Sequence, residues 1–414
     1  MSTPSKKSEP IRLVHIMTAP ESLFFFLRGQ VAFMRQRAIE PHGIASPGEF
    51  LDRFATRDNV PVTAISMPRK ITPGQDLVAI GRLWRELRRL RPDIVQAGTP
   101  KGGLLGMIAA SLAGVPVRIY HIRGLPLMTA TGSRRHLYRW SERVSCRLAN
   151  HVLCVSHSVR DVVIQEGLCP ADKIETLRSG SGNGVDAASR FNPDRLGPDS
   201  REKTRARYGV PDDAVVVGFV GRLIKKKGVV ELMDAWTQVR DEYPQLHLLV
   251  GGPFESIDPI PQAVRERMES DPRVHVAGYV DDTPSFYTAM DVFVFPTYFH
   301  EGFPNVPLEA AAMGVPVVAT TIAGCTDAVQ DGVTGTLVPP EDARAIAAAM
   351  RRYLDEPETR RAQGAAGRER VLREFRPELI WEALYQTYLR LLRAHGEPVV
   401  EPFREVVAAG SRPN

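Results

Sequence analysis

DVFVFPTYFHEGFPNVPLEAAAMGVPVVAT, residues 291–320, decides the architecture. The run DVFVF is apolar without interruption and reads as a buried strand that stops at Phe295 or Pro296. Residues 297–304 carry the turn formers of a loop. Asn305 reads as a helix N-cap, with Val306 and Pro307 in the first turn, where proline is tolerated. The helix runs to Met313 and stops at Gly314, and VPVVATT (315–321) opens the next strand. Strand, helix and strand in such close succession predict a parallel sheet with helices against its faces.

The same grammar extends in both directions. AVVVGFV (214–220), LHLLVGG (246–252) and VHVAG (274–278) read as buried strands of the same sheet. Towards the N-terminus, IRLVHIM (11–17), VPVTAISM (60–67), DIVQA (93–97), VPVRIY (115–120) and HVLCVS (151–156) alternate with helical stretches. Leu-Ala-Gly-Val-Pro-Val at 112–117 matches Ala-Met-Gly-Val-Pro-Val at 312–317, each a helix end leading into a strand. The chain therefore reads as α/β, with two Rossmann-like doubly wound domains. SGSGNGVD and FNPDRLGPDSREK are rich in Gly, Pro, Ser and charge, which places the boundary near 190–205. The expected organisation is 1–195, 196–376, a helix over 377–396 that crosses back to the N-terminal domain, and a tail over 397–414.

Composition narrows the function. The four cysteines are scattered, with no CxxC and no zinc-like Cys/His spacing, as in a reducing compartment. The polar opening MSTPSKKSEP has no signal-peptide character, and no apolar run reaches membrane-spanning length. These features predict a cytoplasmic protein. Residues 1–195 hold 28 Lys and Arg against 16 Asp and Glu, whereas the whole chain carries a net charge of only +5. The basic half is thus expected to meet an anion: phospholipid, nucleic acid or a phosphorylated substrate.

In open α/β sheets ligands bind beyond the carboxyl ends of the strands. GRLIKKKGVVEL (221–232) follows such an end. Arg222 and Lys227 sit in the loop and Gly228 opens a helix, so two cations accompany the free amides of a helix start. Glu301 and Glu309 flank the other strand-end loop. A glycosidase needs its two carboxylates on opposite sides of the scissile bond. Both glutamates here come from one loop–helix junction, and a carboxylate beside a helix N-terminus stays ionised and accepts hydroxyl hydrogens. Glu309 could therefore hold ribose hydroxyls and Glu301 a hydroxyl of a transferred sugar, the alternative for each being capping or dipole pairing of this helix.

Taken together, GR-x4-KG at 221–228, Glu301-x7-Glu309, NGVD (183–186), HVAGYVDD (275–282), EGFPN (301–305) and DGVTGTLVPPED (331–342) resemble the retaining GT-B glycosyltransferases of family 4. The resemblance covers nearly the whole chain and implies two domains facing across a cleft. It also implies a nucleoside-diphosphate sugar, taken here as a UDP-sugar, bound mainly by the C-terminal domain. Arg222 and Lys227 would bind the diphosphate and Glu309 the ribose. Glu301 with Gly302, Phe303, Pro304, Asn305 and Val306 would meet sugar and phosphate, and Tyr279 and Val280 would read the base. No D-x-D triplet occurs, in keeping with metal-independent catalysis.

The resemblance departs at one place. Many relatives carry His-Gly after the VPV strand, and here Arg123-Gly124 stands there with His121 two residues earlier. Either residue is a candidate for the catalytic position on that side. TPKGGLLGM (99–107) offers Lys101 and the amides of Gly102 and Gly103 as an acceptor-side anion site. With IYHIRGLPL and SGSGNGVD, it is similar to relatives acting on bacterial surface polysaccharides and lipid-linked oligosaccharides. The basic helices RLWRELRRLRPD (82–93) and SRRHLYRWSERVSCR (133–147) mix cations with Trp and Leu, as suits an anionic membrane face. The expected acceptor is a saccharide on polyprenyl diphosphate at the inner membrane face. Rival readings are a UDP-sugar epimerase of the same architecture and a nucleotide-sugar-binding protein without catalysis. No nucleic-acid module with interleaved aromatics is present.

Overall fold

The computed structural model describes residues 10–397 apart from positions 71 and 300. The tail expected over 397–414 lies outside the described residues from position 398 on. The strands are β1 (Ile11–Ile16), β2 (Ile39–Ala45), β3 (Val62–Ala64), β4 (Ile94–Gly98), β5 (Val117–Ile122), β6 (His151–Cys154), β7 (Ile174–Thr176), β8 (Val215–Val220), β9 (Leu246–Gly251), β10 (Val274–Gly278), β11 (Val292–Phe295), β12 (Val317–Thr320) and β13 (Gly335–Val338). They form a seven-stranded sheet ordered β3-β2-β1-β4-β5-β6-β7 and a six-stranded sheet ordered β10-β9-β8-β11-β12-β13. The strands pair in parallel, as in β1–β2, β1–β4, β11–β12, β11–β8 and β8–β9, which connections through helices require. Among the described residues no helix is long and apolar enough to cross a membrane.

The chain separates into two compact units. One holds residues up to 120, 148–151 and those from 381 onward, and the other holds 121–147 and 152–380. In the first, the helix Pro377–Ala394 contributes Trp381, whose ring lies 5.5 Å from that of Phe33, and Tyr388, whose hydroxyl bonds Gln96. In the second, alternation along β11 sends Val292 and Val294 into one core with Trp236 and Tyr353. Phe293 and Phe295 enter the opposite core with Phe286 and Tyr287. Burial on both faces explains the unbroken apolar runs of the sequence.

Three strands escape the sequence patterns, and each has a local reason. β2 contains Pro41, which normally demotes a strand. Its neighbour β3 pairs only with Gly43–Ala45, so the missing N–H of Pro41 costs no ladder bond on that side. β7 and β13 are only three and four residues long.

Candidate active site

The loop after β8 is shaped by close backbone approaches. A side chain on Gly252 would collide with the Gly221 carbonyl, which brings the ends of β8 and β9 together. Lys225–Lys227 form one turn of 3-10 helix, closed by Gly228 at φ +74°. A Cβ there would run into the Pro296 carbonyl, so both the left-handed backbone and the space demand glycine. This contact sets the lysine loop directly against the chain leaving β11.

Thr297 extends the junction. Its buried hydroxyl donates to the Lys226 carbonyl at 3.0 Å and lies 3.4 Å from Glu301 Oε1. The Tyr298 amide donates to the same Lys226 carbonyl at 3.3 Å, and the Thr320 hydroxyl donates to the Thr297 carbonyl at 2.5 Å. Held in this way, Lys227 Nζ and Glu301 Oε1 form an ion pair between residues 74 positions apart. Both side chains are less than one-fifth exposed. Arg222 stands apart from this pair, with its half-exposed guanidinium 3.8 Å from Glu255.

The loop beyond Glu301 is equally constrained. The Gly302 carbonyl accepts from Ser156 Oγ at 2.7 Å, and a Cβ on Gly302 would overlap the Arg123 carbonyl. Phe303 packs on Phe375 with ring centroids 5.5 Å apart. The following helix is Asn305–Ala312, and its cap is Pro304 rather than the expected Asn305. Pro304 takes an extended conformation and no side chain caps this helix end, so the helix presents its first amides uncapped.

Glu309 lies on the second turn of this helix. Tyr287, fully buried on the helix Thr283–Thr288, donates to Glu309 Oε2 at 3.2 Å and lies 3.4 Å from the Val306 carbonyl. Burial raises the carboxyl above the ordinary range, while the Tyr287 hydrogen bond and the charge of Arg190 pull it down. The expected simple, ionised carboxylate is thus a partly buried group whose ionisation depends on its neighbours. Tyr279 is exposed, whereas Val280 packs towards Gly251 at the end of β9.

Other expected residues stand differently. His121 is buried in β5, while Arg123 lies past the strand end, so the alternation that would give the two a common face has stopped. Lys101 is committed elsewhere. Its ammonium pairs with Asp76 at 2.5 Å and bonds the carbonyls of Pro68 and Lys70 at 2.7 and 2.6 Å. Thr72 Oγ1 lies 3.2 Å away as well, so no donor remains for an anion. Gly102 and Gly103 serve packing: a Cβ on Gly103 would enter the Tyr120 ring, and one on Gly102 would crowd Thr99 and Thr18.

Residues 9–180 match the family model described as glycosyl transferase 4-like domain, and residues 214–356 match glycosyl transferases group 1. The chain is 33% identical over 382 residues to the capsular polysaccharide biosynthesis glycosyltransferase CapM of Staphylococcus aureus, covering 92% of this chain and 98% of that protein. It is a family 4 glycosyltransferase. The Escherichia coli UDP-Gal:alpha-D-GlcNAc-diphosphoundecaprenol alpha-1,3-galactosyltransferase is 27% identical over 70% of this chain and 73% of its own. The solved structure of Anabaena Alr3699/HepE in complex with UDP matches with a TM-score of 0.76 over 92% of this chain and 100% of that one, at 22% identity. The fold is accordingly GT-B.

Sequence reasoning missed several residues of this glycosyltransferase. Ser158 accepts from the Gly324 amide at 2.7 Å and bonds Asp327, which also receives the His157 amide at 2.8 Å. Asp327 thereby caps the helix His157–Gln165, and Gly324 lies against the carbonyls of Glu301 and Gly302. Thr297 and Tyr287 were equally silent, since nothing in their spacing marks a partner. Only their position after a strand and on a short Asp-capped helix could have drawn attention.

Proposed function

We propose that this glycosyltransferase moves a hexosyl group from a UDP-sugar, with retention and without a metal ion. The acceptor in this reading is a saccharide carried on polyprenyl diphosphate, in the making of a bacterial surface polysaccharide. The observation that carries it is the meeting of Lys227 with Glu301 beside the uncapped helix Asn305–Ala312. Among the described residues Lys227 has one carboxylate partner for three N–H donors, which leaves capacity for a diphosphate. Arg222, exposed at the mouth of the same loop, adds a second cation, and together they offset the charge of the leaving group. Glu309 holds the ribose hydroxyls, Glu301 the sugar, the stretch Gly302–Val306 the sugar and phosphate, and Tyr279 with Val280 the base. The bond from the anomeric carbon to phosphate breaks, the acceptor hydroxyl adds on the same face, and its proton passes to the departing phosphate. His121 and Arg123 are the residues assigned to the other side of the sugar.

The names of the CapM and galactosyltransferase relatives support the capsule-type product and the lipid-linked acceptor. Peripheral membrane contact belongs to the same reading. The helix Pro73–Leu90 exposes Leu77, Val78 and Trp84 beside Arg82, Arg85 and Arg88. The helix Gly132–Leu148 is a weaker candidate, because Arg135 and Arg139 are spent on Glu166 and Arg143 donates to the Gly167 carbonyl.

The test is a panel of UDP-sugars incubated with and without lipid-linked acceptors and read by mass spectrometry. The expected result is acceptor-dependent gain of one hexosyl unit, α-linked from an α-linked donor. Conversion of the UDP-sugar without acceptor would indicate an epimerase instead, and no reaction with any pair would remove the transfer assignment.

A further inference from the structure

We propose that Tyr287 is a positioning residue for nucleotide binding: its hydroxyl holds the Glu309 carboxylate as an acceptor for the ribose and so sets the acid limit of donor affinity. This rests on the reading of Glu309 as the ribose holder. The geometry is specific. Tyr287 is fully buried, with its ring 5.6 Å from Phe293 and 6.3 Å from Phe191, so the hydroxyl has little freedom to turn away. It meets Glu309 Oε2 at 3.2 Å, and among the described residues no other side chain donates a hydrogen bond to Glu309. The charged and titratable groups that bear on Glu309 are Tyr287, from the helix Thr283–Thr288, and Arg190, from the segment before Phe191. Tyr287 also stands close in sequence to Tyr279 and Val280, whose loop leads into its helix at the Asp282 cap. One short helix therefore joins the loop assigned to the base with the support of the carboxylate assigned to the ribose.

The consequence follows from the protonation of Glu309. A neutral carboxyl accepts ribose hydroxyls less well and must donate its own hydrogen. Burial favours that neutral form, and the Tyr287 hydroxyl, by donating to the charged form, opposes it. Removing the hydroxyl raises the Glu309 carboxyl further, so nucleotide affinity fails at a higher pH than in the native protein.

The experiment is calorimetric titration of UDP from pH 5.5 to 8.5 into the full-length protein and its Tyr287→Phe, Glu309→Gln and Glu309→Ala variants. The Tyr287→Phe loss is expected to be about tenfold at the acid end and to shrink to about twofold at pH 8.5. Glu309→Gln, which cannot ionise, is expected to bind weakly and to keep only the pH dependence of UDP's own terminal phosphate, which ionises at pH ~6. UDP lacking both ribose hydroxyls is expected to bind native protein and Tyr287→Phe alike. A Tyr287→Phe profile parallel to the native one, a Glu309→Gln profile as steep as the native one, or a hydroxyl-independent Tyr287→Phe loss would each overturn the positioning role. Unchanged UDP affinity in Glu309→Ala would instead overturn the ribose assignment beneath it.

Discussion

Segments 99–117 and 297–317 are built alike and used differently. Each runs from a strand end through a helix to a left-handed glycine, Gly114 at φ +72° and Gly314 at φ +78°. In each, the next strand starts three residues later, at Val117 and Val317. In the first, the helix begins at Pro100, directly after β4 and Thr99. Its lysine, Lys101, is enclosed by a carboxylate, two carbonyls and a hydroxyl. In the second, a longer passage separates β11 from the helix. Its glutamate meets Lys227 from another loop, while neither helix start has a side-chain cap. A cation at a strand end is therefore not a site in itself. What matters is whether its donors are already spent.

The sharpest way to break this contrast is to remove each lysine. Lys227→Ala is expected to lower turnover by about 10²–10³-fold, the scale of losing one preorganised charge partner of the leaving group. It should leave the fold intact in thermal melts. Gly302→Ala comes next, because its Cβ would meet the Arg123 carbonyl and displace the loop carrying Glu301. A shift of that kind is expected to cost about 10- to 100-fold in kcat/KM, read in steady-state assays. Lys101→Met should do the reverse of Lys227→Ala. Stability falls by about 1–3 kcal/mol as Asp76 loses its partner, measured by denaturant unfolding, while UDP affinity stays within about twofold. Gly103→Ala is expected to behave like Lys101→Met, with a loss of about 1–3 kcal/mol from overpacking against Tyr120.

The contrast also shows what a sequence carries. The α/β architecture was legible because β8, β9, β11 and β12 are buried on both faces and so are written as continuous apolar runs. Helix ends were legible from glycine, with Gly228 opening one helix and Gly314 closing another. β2 was hidden by Pro41, which an inner strand accepts only because its neighbour is short. At the candidate site, spacing pointed to Lys227, Glu301 and Glu309 but not to what surrounds them. The commitment of Lys101 depends on the Pro68 and Lys70 carbonyls of a loop more than 30 residues earlier. The support of Glu309 by Tyr287 depends on how a six-residue helix packs, and the brace of Thr297 on a carbonyl contributed by Lys226. Such partners are set by tertiary contact, and a hydroxyl in the sequence does not announce them.

The central claim is that the junction of the lysine loop and the glutamate helix binds a nucleoside diphosphate. Calorimetric titration of UDP into the native protein, Lys227→Ala and Glu309→Ala tests it most directly. Affinity is expected to fall by about tenfold or more in each variant, corresponding to about 1.4 kcal/mol or more, with melting temperatures close to native. Native-like affinity in both folded variants would contradict it.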